Sequence, residues 1–369
     1  MTQAKTVAFV TRHIVANYGS VLQAYATQQA IKKLGHKPVC IDYFRTDELP
    51  RNLVATRLST SKWNKNALTR AFFMLTQKPV YALADKRFAQ YRSIVGVTER
   101  QYHTEAELAA QPPEADVYLT GSDQVWNTVV CGELDPVYFL SFAPQGKKRV
   151  AYAASFGGKL TEDQLSEIKP YLQKYDRISV REPSGVELLA HMGIPAGQVL
   201  DPTFLLKKSE WEQLVPKRPC SEKFALVYQL HPNKAFDRYA KAFAKRKGLK
   251  LVRISHCFHH AVRSGKFICC PPIEEFLWHI KNAQVLLTDS FHGTAFAIGL
   301  NTQFVDVLPK SYSERIQGIL ELIGYENRIL RDYNDFSVAD EPIDYAKVNR
   351  IIEQQRAASC QTLKEMLDD

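Results

Sequence analysis

The sequence predicts an α/β protein of two Rossmann-like domains facing each other across a cleft, and three observations carry that prediction. Apolar, strand-length runs alternate with helix-patterned stretches, first over residues 5–43 and again from Phe224 onward, as in parallel sheets covered by helices. The chain has 369 residues, which at about 100–200 residues per domain suits two domains that each bury a core. Hydrophobic residues make up 45% of it, and Gly (17) and Pro (18) are ordinary in number, so a fibrous, collagen-like or disordered chain is excluded.

The opening βαβ unit consists of the apolar strand Thr6–Thr11, the helix Ser20–Leu34 and the strand Pro38–Tyr43. Leu22, Ala26, Gln29, Ala30 and Lys33 recur at helical spacing, and Gly35 stands just past the helix end. Residues 50–110 read as a basic, helical insertion without strand alternation. Strands resume at Ala115–Thr120, Val150–Ser155, Arg177–Val180 and Gln198–Leu200, with helices expected at 162–174 and 183–192. After a polar linker containing Lys207, Lys208, Pro216, Lys217, Arg218 and Pro219 the alternation restarts. It runs through strand Phe224–Leu230, helix Asn233–Lys247, strand Lys250–Ile254, helix Ile273–Asn282, strand Gln284–Thr288, helix His292–Gly299 and strand Gln303–Val307.

The tail at 344–367 reads as one long helix. The expected division is therefore an N-terminal domain over 1–203, carrying the basic insertion near 50–110 and joined by the C-terminal helix 344–369, and a C-terminal domain over 204–343. Two such domains are expected to hold the site in the cleft between them.

Charge and cysteine content narrow the functional classes. The seven cysteines are odd in number, scattered and without CxxC spacing, which suits a reducing cytosol. Residues 1–20 hold only the short apolar run Val7–Val10, and no run of transmembrane length occurs, so a cytoplasmic protein is expected. The net charge of +9 is concentrated in residues 51–100, where ten Lys and Arg face two acids. Trp63, Phe72, Phe73, Tyr81, Phe88 and Tyr91 interleave with those cations, a pattern shared by nucleic-acid grooves, membrane-facing surfaces and plain helix packing with a solvated face.

Four segments carry residue types that chemistry needs. In Ala16–Ser20 a loop with Asn17, Tyr18 and Gly19 runs straight into a helix, where backbone N–H groups attract anions, although Asn17 or Ser20 can equally serve only as the cap. Asp116–Asn127 places Gly121, Ser122, Asp123, Gln124, Trp126 and Asn127 directly after a buried strand, more polar variety than a turn requires. In Ile178–Gly185, Arg181 ends a short strand; its guanidinium suits a carboxylate or phosphate, or an ordinary salt bridge with Glu182 or Glu187. In Leu286–Ala297 a strand breaks into Thr288, Asp289, Ser290 and His292 before an apolar helix, a setting in which a histidine can donate or accept a proton. Lys310 and Arg315 follow the next strand and add positive charge near that edge. His256, Cys257, His259 and His260, with Cys269 and Cys270 nearby, match no zinc spacing, so no metal is expected.

At these four segments, Asn17–Ala26, Thr120–Asn127, Ser179–Ser184 and Asp289–Ala295, the sequence resembles the polysaccharide pyruvyl transferase family, in order and over roughly residues 6–330. The resemblance implies a GT-B-like fold and an enzyme of surface-glycan assembly that moves pyruvate from phosphoenolpyruvate onto two hydroxyls of one sugar as a ketal. It further implies His292 as general acid, and Arg181 and Lys310 as ligands of the donor. Some members carry Arg-Leu before the histidine where Ser290-Phe291 stands here. Arg315 replaces that cation if its loop folds inward.

Asn17, Tyr18, Gly19, Ser122, Asp123, Gln124, Trp126, Asn127 and Asp289 are then expected to line the cleft toward the acceptor, and Ser290 to help hold the donor. Asp123, Asp289 and Asp201 stay open as candidates for the base. The expected partners are phosphoenolpyruvate, a sugar or lipid-linked glycan and an anionic membrane surface met by residues 51–100. Neither a cofactor nor nucleic acid is expected. A GT-B glycosyltransferase using a nucleotide sugar, and a non-enzymatic polyanion-binding protein, are the competing readings.

Overall fold

The central strands are short apolar runs, buried on both faces, as parallel sheets covered by helices demand. The computed structural model describes residues 3–45, 50–59, 61, 63–128, 133–309 and 313–368. It divides into two units, Met1–Leu205 with Ala357–Asp369, and Leu206–Arg356.

The first unit contains β1 (Thr6–Val10), α1 (Tyr18–Lys33), β2 (Lys37–Tyr43), α2 (Pro50–Ser59), α3 (Ala67–Arg92), β3 (Val97–Tyr102), α4 (Glu105–Ala110) and β4 (Val117–Thr120). It continues through β5 (Lys148–Ala154), α5 (Glu162–Leu172), β6 (Arg177–Val180), α6 (Pro183–His191) and β7 (Gly197–Gln198). Its seven-stranded sheet has the order β3-β2-β1-β4-β5-β6-β7, with every pairing parallel. Val7 to Val10 are fully buried, and Tyr118, Trp126, Phe139 and Ile168 fill the core beside them. Between β5 and β6 the register shifts at Ala151/Ala154, and Ala153 has φ 54°. This bulge turns the end of β5 so that Ala154 bridges to Asp123.

The second unit holds α7 (Lys208–Gln213), β8 (Phe224–Tyr228), α8 (Lys234–Arg246), β9 (Lys250–Ser255), β10 (Lys266–Cys269) and α9 (Ile273–Asn282). After them come β11 (Val285–Thr288), α10 (Phe291–Leu300), β12 (Phe304–Asp306) and α11 (Glu314–Ile323). Its five-stranded sheet has the order β10-β9-β8-β11-β12, again all parallel. Val227, Phe236, Tyr239, Phe243, Leu287 and Val305 form its core.

Two strands differ from the sequence expectation. β3 lies inside the stretch expected to be helical, and β10 lies beside the histidine and cysteine cluster. Both are edge strands with partly exposed residues, so neither needs the apolar alternation that marks a strand in sequence. α11 was likewise not anticipated.

The last helix, α12 (Tyr345–Asp368), ends in the first unit. There Leu363, Met366 and Leu367 are buried, and Lys5 Nζ donates to the carbonyls of Leu367 (2.6 Å) and Asp368 (2.8 Å). His36 Nε2 lies 3.1 Å from Asp368 Oδ1. Replacing Leu367 by Ala is expected to cost about 2–5 kcal/mol. Urea unfolding should show it as a lower midpoint at unchanged slope; an unaltered midpoint would mean that this helix end contributes no packing.

Candidate active site

In an open parallel sheet, ligands gather at the carboxyl ends of the strands where the strand order reverses. In the first sheet that point lies between β1 and β4. Past β1, Asn17 caps α1 by accepting from the Gly19 N–H (2.8 Å), the plain role of an Asn before a helix. Ser20 Oγ donates to Asp123 Oδ2 (2.7 Å), so helix α1 is tied to the segment leaving β4. Thr11 Oγ1 donates to the Ser122 carbonyl (2.8 Å) and accepts from the buried Gln23 amide (2.8 Å). A Cβ at Gly121 would stand 3.1 Å from Thr11 Cβ and 3.3 Å from the Val10 carbonyl, so glycine permits this approach. Asp123 has φ 74°, which Asp tolerates, and its Oδ1 accepts from the Gln124 N–H (2.8 Å).

The same edge extends to β6 through a buried charged network. Ser122 Oγ donates to Asp201 Oδ2 (3.1 Å), which also accepts from Arg181 Nη1 (2.7 Å). Arg181 Nε donates to Glu182 Oε1 (2.8 Å), and Ser155 Oγ donates to the same oxygen (3.0 Å). Asp201 Oδ1 takes the Thr203 N–H (2.9 Å) and hydroxyl (2.7 Å). Burial opposes the charge on Arg181, but Glu182, Asp201 and Asp123 reverse that and hold it firmly cationic. The result is an oriented, permanently charged guanidinium.

The second sheet reverses between β8 and β11, and a carboxylate again straps the two loops. Asp289 Oδ1 accepts from the Leu230 N–H (2.7 Å), and Oδ2 accepts from the His231 N–H (2.9 Å). Ser290 caps α10 by accepting from the Gly293 N–H (3.3 Å), which places His292 in the first turn, 5% exposed. A Cβ on Gly293 would fall 2.5 Å from Thr288 Oγ1, so the helix start sits hard against the strand end. Arg315 lies over the Phe291 ring at 5.9 Å, beside His292 in sequence. Lys310 lies outside the described residues.

The structure thus brings Asn17, Gly19, Asp123 and Arg181 to one sheet edge, and Asp289, Ser290, His292 and Arg315 to another. Three residues expected to line the cleft are placed in the interior. Trp126 is fully buried, its indole N–H donates to the Tyr138 carbonyl (3.0 Å) and its ring stacks on Phe139, so it is a core residue. Tyr18 is 2% exposed and packs on Phe88 and Tyr91. Ser122 is fully buried, its hydroxyl given to Asp201. Gln124 and Asn127 stay half-buried, against the backbone of Gly157, whose φ is +69°.

Sequence reasoning passed over three groups. His13, 1% exposed, has Nδ1 3.2 Å from the Thr11 carbonyl and Nε2 3.0 Å from Asp42 Oδ1. Both partners only accept, so both ring nitrogens carry protons. Burial opposes that charge, but Cys40 and Asp42 outweigh it and raise the pKa to about 10. Asp306, fully buried, accepts from Thr294 Oγ1 (2.7 Å). Burial, against the Thr294 hydrogen bond and with the help of Asp289, raises its pKa to about 8 and keeps it neutral at pH 7. His231 stands three residues past β8, a position the strand-end rule singles out from the strand that the sequence already marks.

The His13 charge makes a pH-dependent prediction. A group raised from 6.5 to about 10 on folding contributes stability that is complete below pH 6.5 and lost as pH rises through about 10. The stability gap between wild type and His13→Asn should therefore shrink from about pH 6 to pH 10 in denaturant titrations. A gap that stays constant would rule out the buried imidazolium.

Comparison with known proteins places this architecture. No curated protein matches the chain. Among solved structures, Arabidopsis thaliana UGT89C1 complexed with quercetin shares 11% identity with a TM-score of 0.52, covering 99% of this chain and 100% of its own. The Neisseria meningitidis UDP-GlcNAc 2-epimerase bound to UDP-GlcNAc shares 11% identity with a TM-score of 0.49, covering 98% of each chain. The first likeness is one of fold, and with the two parallel sheets it makes the fold class α/β and GT-B-like. The family model for polysaccharide pyruvyl transferase matches residues 17–309, a span that contains all four motif segments, and the chain accordingly belongs to the polysaccharide pyruvyl transferase family and is a transferase.

Proposed function

We propose that the protein transfers pyruvate from phosphoenolpyruvate to two hydroxyls of one sugar, forming a ketal during surface-glycan synthesis. The observation that carries this reading is the buried network at the carboxyl end of β6 that orients the Arg181 guanidinium and keeps it cationic; within the second unit, His292 is seated in the first turn of α10. Phosphoenolpyruvate presents a carboxylate and a phosphate. Arg181, Lys310 and Arg315 supply cations for them, and the α10 N-terminus at Ser290 supplies backbone N–H groups. This donor set needs no metal. His292 protonates the methylene carbon C3, and the cation left at C2 is attacked by the first sugar hydroxyl. Phosphate then departs and the second hydroxyl closes the ketal. The acceptor is a sugar or a lipid-linked glycan.

With phosphoenolpyruvate at about 100 times its dissociation constant, unfolding should be opposed by about 2.7 kcal/mol, visible as a raised Tm. His292→Asn should keep that shift and lower turnover about 10²–10⁴-fold, followed as phosphate release and as ketal by mass spectrometry. The UGT89C1 likeness favours one competitor, a glycosyltransferase. Stabilisation by nucleotide sugars and none by phosphoenolpyruvate would establish that competitor instead.

The same reading places the enzyme at the inner face of an anionic membrane. No helix among the described residues is long and apolar enough to cross one. On α3, Leu68 (84%), Phe72 (55%) and Leu75 (76%) form an exposed stripe, with Trp63 5.8 Å from Phe72. Exposed Lys65 and Lys78 flank it along the chain, and each such cation adds about 1 kcal/mol near an anionic surface. Co-sedimentation with phosphatidylserine vesicles should fall when Leu68, Phe72 and Leu75 become Ser; equal sedimentation would remove the membrane from this reading.

A further inference from the structure

We propose that His231 is the general base that takes the proton from the attacking sugar hydroxyl, with Asp289 as its positioning residue. The assignment rests on the pyruvyl-transfer reading and supplies the group that reading leaves open.

Three carboxylates offer themselves as the base, and the fold employs each otherwise. Asp123 accepts from Ser20 and from the Gln124 N–H. Asp201 accepts from Arg181, Ser122 and Thr203. Asp289 accepts two backbone N–H groups.

Asp289 has one further neighbour. His231 Nδ1 lies 3.2 Å from Asp289 Oδ2, with side-chain exposures of 49% for the histidine and 2% for the carboxylate. A carboxylate only accepts, so in the neutral ring the proton sits on Nδ1 and Nε2 holds the lone pair. A buried acid that orients a histidine, whose other nitrogen remains available as a base, is the arrangement that general-base catalysis requires. The dyad spans the β8/β11 reversal, and Asp289 leads within three residues to His292.

The loop that carries His231 is held more rigidly than a turn needs. Gln229, 2% exposed, donates its amide to the His231 carbonyl (2.9 Å). Its Oε1 accepts from Arg253 Nη1 (2.9 Å) and Arg263 Nη1 (3.0 Å), and both guanidinium groups pair with Asp237 (3.0 and 3.2 Å). Arg253 is 1% exposed. Burying a guanidinium is costly, and here it serves to fix the backbone of one histidine.

The protons balance. His292 gives one to C3 as the double bond of the donor opens. The first hydroxyl oxygen bonds to C2 while its proton passes to His231 Nε2. His231 passes that proton to the phosphate oxygen as the C2–O bond breaks and the electron pair leaves with phosphate, and the second hydroxyl then bonds to C2 and gives its proton to the vacated Nε2. Of the two protons released, one restores His292 and the other leaves on phosphate.

The test is steady-state phosphate release from phosphoenolpyruvate with a panel of p-nitrophenyl hexosides as acceptors, using full-length wild type, His231→Gln, His231→Ala and Asp289→Asn. The expected result is that kcat for His231→Gln falls about 10²–10⁴-fold, while the phosphoenolpyruvate-induced rise in Tm remains. The acidic limb of the kcat/KM profile disappears, and added imidazole restores turnover to His231→Ala. Asp289→Asn should lower kcat more than it alters KM. Wild-type turnover by His231→Gln with its acidic limb intact, or no imidazole rescue, would overturn the assignment while leaving pyruvyl transfer standing. A wild type that never consumes phosphoenolpyruvate would overturn the pyruvyl-transfer reading, and this assignment with it.

Discussion

A carboxylate that straps two loops across the point where a parallel sheet reverses its strand order is the constraint on which both sites depend. At such a point two neighbouring strands send their chains to opposite faces, so their loops diverge and leave a crevice. Asp123 closes that gap in the first sheet by taking the Ser20 hydroxyl, and Asp289 closes it in the second by taking the N–H groups of Leu230 and His231. Each anion lies within a nearly closed interior, where a charge persists only if donors surround it. The donors are therefore fixed as firmly as the acid. A helix start and a strand end become one rigid body in each unit.

That rigidity has an electrostatic counterpart. Arg181 is charged because Asp201 and Glu182 face it, and those acids stay buried because Arg181, Ser122, Ser155 and Thr203 answer them. In the second unit two buried acids part company: Asp289 collects donors, while Asp306, with Thr294 alone at Oδ1, keeps its proton at neutral pH. Preorganised polar groups of this kind lower the cost of charge that develops during a reaction.

The sheet cores were legible in the sequence because 7–10, 117–119 and 285–287 are uninterrupted apolar runs. The edge strands were not, since β3 and β10 have one open side and no apolar pattern to display. At the sites, residue type and strand-end position identified Arg181, Asp289 and His292. They could not separate Trp126, which completes a core, from Asn127 one position on, because a polar motif and a buried tryptophan read alike when the strand end is known only as a string. His13, His231 and Asp306 escaped because their partners, Asp42, Asp289 and Thr294, are set by strand pairing and helix packing rather than by neighbourhood in the chain.

The path of α12 bears on how the chain is made. Residues 357–369 belong to the first unit, yet they follow the whole of the second in the order of synthesis. On a ribosome adding about 5–20 residues per second, the sheet built from β1 to β7 waits for the complete second unit before Leu363, Met366 and Leu367 arrive to cover it. The unit translated first is therefore the last to be finished. During that interval its uncovered apolar surface is open to chaperones.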